Sequence, residues 1–358
     1  MTEKYPASIY RGPNDIGFEE REVPEPGPGE VLVRVGVCGI CGSDATEFAR
    51  GPVLATPPVV LGHEFAGTVE RTGPGVAGFP PGASVVAGAG IACGACKMCR
   101  TGRTNLCVSY STLGLQHDGG LQGYVVAPAS TLLDVTATGL PMDTLGLAQP
   151  MSIAVHTVRR SGLKVGQDAV IVGVGGIGSF ITVAASAVGA RVLVVDRDTD
   201  RLDLAMTLGA HAALVAGEAT LADRLAELGM EPDVFFEVSG SRPGFDSVLE
   251  AARPGATIVP VGIQKASVDL QISDLTMREL TLVGTVAHVY GADLPEAVRL
   301  LGTRPDWSDI AGEIIPLGDL VTHGIAPLVD GSATQIKTLI DPWATTARAA
   351  VHARPQEL

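Results

Sequence analysis

The sequence predicts an α/β protein, with a turn-rich β region ahead of a parallel, doubly wound sheet. Three observations carry that prediction. From residue 168 onward, short apolar runs alternate with helical segments, the pattern of a parallel sheet whose crossovers are helices. Glycine is abundant, 45 of 358 residues, and follows no Gly-X-Y period. Tight turns and close backbone approaches account for it, not a fibre. A glycine-rich turn, Gly173-Val-Gly175-Gly176-Ile177-Gly178, links one apolar run to the next helix.

The elements follow in order. Residues 1–140 read as short strands between Gly/Pro turns: Val31–Val37 behind Pro24-Glu-Pro-Gly-Pro-Gly, then Glu64–Arg71 and Ala83–Ala87. Asp143–Ser161 reads as one helix stopped by Gly162. Strands are then expected at 168–172, 191–195, 212–215, 233–237, 256–261 and 280–283, with helices near 176–189, 199–208, 219–229 and 244–253. A helix near Leu294–Leu301 leaves that sheet, and the tail from about 303 returns to strands and ends in frayed polar residues.

Lys+Arg total 25 and Asp+Glu 39, so 25 − 39 gives a net charge of −14. No basic run interrupts the acidic balance, which excludes nucleic acid and anionic membrane surfaces as partners. A hydrophobic content of 46% excludes wholesale disorder. The first residues carry no apolar leader region. The uncharged stretch 169–190 is long enough to span a membrane, but its glycines divide it into strand, turn and helix. The expected location is the cytoplasm.

Four of the six cysteines, Cys93, Cys96, Cys99 and Cys107, form Cys-x2-Cys-x2-Cys-x7-Cys. In a reducing compartment such clustering favours metal over disulfides. Short spacers let one loop turn several thiolates onto a tetrahedral Zn2+, and four cysteines close the shell, so the site reads as structural. Lys97, Arg100 and Arg103 in the same segment offset its negative charge.

The glycine turn satisfies G-x-G-x-x-G between a strand and a helix. Gly173 permits the turn, Gly175 and Gly176 let backbone approach a pyrophosphate at the helix N-terminus, and Gly178 lets helix pack on strand. Asp196 ends the next strand, eighteen residues after Gly178. A carboxylate there accepts from ribose hydroxyls and repels a 2′-phosphate, which favours NAD over NADP; the adjacent Arg197 softens that preference.

Two further motifs, Cys38-Gly-Ile-Cys41-Gly-Ser43-Asp44 and Gly62-His63-Glu64, supply a thiolate, an imidazole and a carboxylate. Such a mixed set with one open position suits a reactive zinc centre. Cys38 reads as a buried strand thiol and His156 as a core histidine.

With these motifs, the sequence resembles the zinc-containing medium-chain alcohol dehydrogenases, in the branch of sorbitol and 2,3-butanediol dehydrogenases. The matching pieces are Cys41-Gly-Ser-Asp, Gly62-His-Glu-Phe-Ala-Gly-Thr-Val, the Cys93–Cys107 segment, Asp118-Gly-Gly-Leu-Gln-Gly-Tyr-Val-Val, Met151-Ser-Ile-Ala-Val-His, the glycine turn and Leu282-Val-Gly-Thr. The resemblance implies a GroES-like β-rich catalytic domain from 1–152 and 290–358, with a Rossmann NAD-binding domain at 153–289 and the active site in the cleft between them. It implies two Zn2+ per chain and NAD, a homodimer or homotetramer, and a small alcohol or ketone as substrate. Cys41, His63 and Glu64 become ligands of the catalytic zinc, Ser43 lies near the proton path, and Arg201 sits beside the adenosine. Val261, Ile263, Thr285 and Ala287 line the nicotinamide.

Two departures from the family pattern matter. Gln149 stands where related enzymes carry an acid, which makes Glu64 the better ligand and Gln149 a doubtful one. Thr46 stands where a histidine is common; it passes a proton by hydroxyl rotation but is no base near neutral pH. The expected reaction is zinc-assisted hydride transfer between a secondary alcohol (a vicinal diol, polyol or cyclic alcohol) and NAD. A zinc-free quinone or enoyl reductase shares the architecture but lacks the Cys41/His63/Glu64 set. A non-catalytic zinc and NADH-binding module would bind cofactor and turn over no alcohol.

Overall fold

The computed structural model describes residues 3–264 and 267–352. The chain forms two compact units, Met1–Gln149 with Val289–Leu358, and Pro150–His288. The polar end at 353–358, expected to be frayed, lies outside the described residues. Up to His352 the tail is tied down: Ala350 N–H donates to Gly312 O at 2.9 Å, and His352 Nε2 lies 2.7 Å from Ala311 O.

The first unit is built on an eight-stranded sheet. Its central strand, Glu30–Gly39, is an almost continuous apolar run in which Val31, Leu32, Val33, Val35, Val37 and Cys38 are fully buried. On one side it pairs antiparallel with Glu64–Thr72, and that strand in turn with Ser84–Ala87. On the other it pairs antiparallel with Tyr124–Pro128 along its first half and with Leu339–Asp341 at its far end. A hairpin of Lys4–Gly12 and Asp15–Glu22, not expected from the sequence, stands outside this sheet. Asn14 takes its turn at φ +57°, a conformation asparagine tolerates well.

The second unit is a six-stranded sheet, parallel throughout, with spatial order Ala212–Val215, Arg191–Asp196, Asp168–Val172, Val234–Glu237, Thr257–Pro260, Thr281–Leu282. This is the doubly wound order, and the direction of winding reverses at Asp168–Val172. Val170, Ile171, Leu193, Phe235 and Ile258 fill its core without exposure. The helices Gly176–Val188, Thr199–Thr207, Leu221–Leu228 and Arg242–Ala251 lie close to their expected places.

One expected helix is two. Met142–Leu145 makes a single turn and Ala148–Ser161 starts afresh. Pro150 explains the break. It has no N–H to donate four residues back and is tolerated only in a first helical turn, where it now sits. The helix expected from Leu294 begins earlier, at Tyr290, and contains Pro295. No helix among the described residues is long and apolar enough to cross a membrane.

Candidate functional site

Strand register assembles the first cluster. Gly39 lies opposite Glu64 on one side and Leu339 on the other. Two residues past Gly39 comes Cys41, the N-cap of the helix Gly42–Arg50; one residue before Glu64 comes His63. The ligand atoms of Cys41, His63 and Glu64 all lie within 4.8 Å of one another, with His63 and Glu64 buried. Gly39 makes room for this: a Cβ there would stand 2.5 Å from Glu64 Oε2. Gly62 turns the chain at φ +93°, where a side chain would also meet Cys38 Sγ.

Around the three side chains the groups are buried and charged. Asp44, fully buried, accepts the Cys41 N–H at 2.8 Å, and its other oxygen lies 3.9 Å from His63 Nδ1. Burial pushes the Asp44 carboxyl above its usual range. Burial pulls the His63 imidazole down, but the Cys41 hydrogen bond and the carboxylates of Asp44 and Glu64 outweigh it, and the pKa is pushed up to about 10. The pocket therefore favours a positive charge at this point. Asp44 Oδ1, His63 Nδ1 and Ser43 Oγ are buried and have no hydrogen-bond partner among the described residues. A thiolate, an imidazole and a carboxylate at this spacing, with cation-favouring electrostatics, fit a zinc ion that leaves one position open.

Lys337 also belongs to this cluster. Its ammonium is buried and donates to Glu64 Oε1 at 2.9 Å, Glu64 Oε2 at 2.6 Å and Ile40 O at 3.1 Å. The separation of 273 residues from Glu64 hides it from any local motif. Thr46 is exposed, and its hydroxyl donates to Gly42 O at 2.9 Å. Gln149 is buried near the start of the Ala148–Ser161 helix.

The second cluster, Cys93, Cys96, Cys99 and Cys107, is local, with its sulfurs within 4.8 Å of one another and none in a disulfide. Backbone supports it: Cys93 N–H points at Cys107 Sγ (3.3 Å) and Cys96 N–H at Cys93 Sγ (3.4 Å). The Cys93 N–H lowers the Cys107 thiol to about 6, so a thiolate is favoured there.

The third feature is a cavity of about 790 Å3 in the second unit. Gly173, Gly175, Gly176, Ile177, Asp196, Arg197 and Arg201 all line it. Gly178 does not; a Cβ there would run into Gly173 O, as the packing role requires. Asp196 Oδ2 accepts Val174 N–H at 2.8 Å, and Oδ1 accepts Arg197 N–H at 2.7 Å and Asp198 N–H at 3.2 Å. Beyond facing the cavity, this carboxylate thus fixes the turn that precedes the helix. Val261, Ile263, Thr285 and Ala287 lie outside the cavity wall, and Ile263 is 90% exposed. Ser239 and Ser241, missed in the sequence, form part of the wall. Buried Glu237 holds them there: it accepts the Ser239 hydroxyl, Gly240 N–H (3.1 Å) and Gln264 Nε2–H (3.0 Å).

Comparison with known proteins extends along the chain. Residues 27–137 match the alcohol dehydrogenase GroES-like domain, and residues 176–303 match the zinc-binding dehydrogenase family. The chain is 33% identical to a 2-dehydro-3-deoxy-L-galactonate 5-dehydrogenase of Pseudoalteromonas atlantica, covering 94% of this chain and 98% of that one. It is 31% identical to a sorbitol dehydrogenase of Bombyx mori over 90% and 92% of the two chains. Among solved structures, a 2R,3R-butanediol dehydrogenase from Bacillus subtilis superposes with a TM-score of 0.86 at 28% identity, covering 94% and 99%.

Proposed function

This chain belongs to the zinc-type alcohol dehydrogenase family, and on that premise we propose that it interconverts a secondary alcohol and its ketone, with NAD as hydride carrier and two zinc ions per chain. The observation that carries the reading is the convergence of Cys41, His63 and Glu64, whose ligand atoms lie within 4.8 Å of one another. When bound, zinc supplies Lewis acidity that makes an alcohol more acidic, and the nicotinamide takes the hydride.

The chain's own residues do the rest. Cys41, His63 and Glu64 would hold the metal, and Asp44 fixes Cys41 by accepting its N–H. Ser43 Oγ, buried and without a partner among the described residues, is the hydroxyl that would take the proton from the substrate oxygen. Gly173, Gly175, Gly176 and Ile177 receive the pyrophosphate at the N-terminus of Gly176–Val188, and Asp196 receives the adenosine ribose. Cys93, Cys96, Cys99 and Cys107 hold the second zinc as a structural clasp. A vicinal diol, a polyol or a cyclic alcohol is the substrate class this reading favours. A homodimer or homotetramer is the assembly this reading expects.

A panel of such alcohols and their ketones with NAD(H) and NADP(H), followed at the reduced-cofactor absorbance, tests the reading. Turnover of a secondary alcohol with NAD, in protein that holds about two zinc per chain, supports it. Protein with about one zinc per chain and no alcohol turnover overturns it.

A further inference from the structure

The hydroxyls in the far wall of the second unit's cavity have already given their hydrogens away. Arg197 and Arg201 stand beside Asp196 and the glycine turn; away from them the polar side chains of the wall are Thr220, Ser239, Ser241, Ser247 and Glu250. Thr220 donates to Asp223 Oδ2 at 2.7 Å and Ser247 to Gly244 O at 2.8 Å. Ser239 donates to the carboxylate of Glu237, and its oxygen faces Ser241, whose N–H nitrogen lies 3.2 Å and hydroxyl oxygen 2.8 Å away. A serine has a single hydroxyl hydrogen, so Ser241 is the donor in both of these contacts. Ser241 Oγ also accepts Gly244 N–H at 3.1 Å, which leaves it a lone pair and no hydrogen for a ligand.

Glu237 sets this direction. It is fully buried at the end of the strand Val234–Glu237, opposite Val172. Gly240 N–H at 3.1 Å and the Gln264 side-chain amide at 3.0 Å both donate to it, and it meets the Ser239 hydroxyl as an acceptor too. The loops around it are closely packed: a Cβ on Gly244 would stand 2.4 Å from Ser239 Oγ, and a Cβ on Gly262 would stand 2.2 Å from Gly240 N. A hydroxyl free to rotate serves donors and acceptors alike, whereas one whose hydrogen is held elsewhere serves donors only.

We propose that Glu237 is a positioning residue that, through Ser239, fixes the Ser241 hydroxyl as an acceptor and completes a wall that selects a purine carrying an exocyclic amino group over one carrying a carbonyl in its place. The proposal rests on the dinucleotide reading of the cavity. Leu214, Leu221 and Pro243 in the same wall offer apolar surface to a flat ring. An amino group donates to the waiting lone pairs. A carbonyl oxygen there sets lone pair against lone pair, and hydroxyl rotation cannot relieve it.

Binding of reduced dinucleotides to the full-length protein, followed by nicotinamide fluorescence, tests this. The probes are NADH and its hypoxanthine analogue, in which a carbonyl replaces the adenine amino group. The wild type is expected to bind NADH about tenfold more tightly than the analogue, or better. In Ser239→Ala the Ser241 hydrogen is released and can turn to the cavity, so the analogue is expected to bind about tenfold more tightly than it does to the wild type. Loss of structure cannot produce such a gain. Glu237→Leu is expected to give the same gain, and Ser239→Ala keeps the proposal testable if Glu237→Leu fails to fold. Glu237→Gln, whose carbonyl oxygen still accepts from Ser239, is expected to keep the wild-type preference. Equal affinities in the wild type, or a preference for NADH that persists unchanged in Ser239→Ala, overturn the proposal. Wild-type protein that binds neither dinucleotide overturns both this proposal and the functional reading beneath it.

Discussion

The two metal-ligand clusters are built in opposite ways. Cys93, Cys96, Cys99 and Cys107 come from one short segment, are partly exposed, and are aimed by the segment's own spacers and by N–H donors from within it. Cys41, His63, Glu64 and Lys337 come from three strand ends and meet only because Glu30–Gly39 pairs with Glu64–Thr72 and Leu339–Asp341 in one register. A local clasp needs little from the fold around it, whereas an assembled site depends on the sheet. The clasp should therefore answer for stability and the assembled site for chemistry.

The sharpest way to break this division is to remove one ligand from each. Cys41→Ala is expected to lower kcat/KM at least a thousand-fold, about 4 kcal/mol of transition-state stabilisation. Metal content should drop from two to one per chain with thermal unfolding nearly unchanged; steady-state kinetics, elemental analysis and calorimetry read the three quantities. Cys107→Ala is expected to do the reverse. Loss of the clasp should cost about 3 kcal/mol of stability, roughly 6–12 °C in Tm, while kcat per remaining metal stays within about twofold at a temperature where the protein is folded. A Cys107→Ala protein that is fully folded yet inactive would erase the distinction between the two clusters.

The same contrast explains what the sequence made legible. The cysteine clasp and the glycine turn announce themselves because their residues are near neighbours, and the alternation of strands and helices gave the doubly wound sheet with nearly correct bounds. Cys41, His63 and Glu64 were legible as chemistry but not as a place, since only strand register joins them. Lys337 was invisible: nothing near it in sequence hints at a buried partner 273 residues away. Asp44, Ser239 and Ser241 escaped for a related reason, being ordinary cap and turn residues until the fold turns them toward a site. The break before Ala148 was readable in principle, because Pro150 forbids the continuous helix.

The glycine turn sits between the two extremes, a local motif braced by a residue from the next strand. Asp196→Ala removes the acceptor of three backbone N–H groups along with the proposed ribose contact. At about 1 kcal/mol per hydrogen bond, with part of the loss recovered by water, the KM for NAD is expected to rise about thirty-fold. Relief of charge repulsion beside Arg197 and Arg201 should lower the KM for NADP at the same time. Kinetics with both cofactors check this, and an equal rise for both would reduce Asp196 to a brace for the turn.

The smallest effect tests the finest feature of the assembled site. Ser43 and Thr46 lie on one helix, and both were candidates to pass the proton. Thr46 is exposed and spends its hydroxyl on Gly42 O, whereas Ser43 Oγ is buried without a partner among the described residues. A hydroxyl with no fixed partner is free to rotate, so Ser43 should relay and Thr46 should not. Ser43→Ala is expected to lower kcat for alcohol oxidation about tenfold, less than the loss of a general base because water can substitute in part. The rising limb of the kcat–pH profile should move to higher pH, since proton loss from the bound alcohol becomes harder. Thr46→Ala should stay within about twofold, and Ser43→Thr should recover part of the rate. If turnover and its pH profile are the same in Ser43→Ala as in the wild type, the proton leaves by water alone, and the buried hydroxyl is only a packing residue of the helix that Cys41 caps.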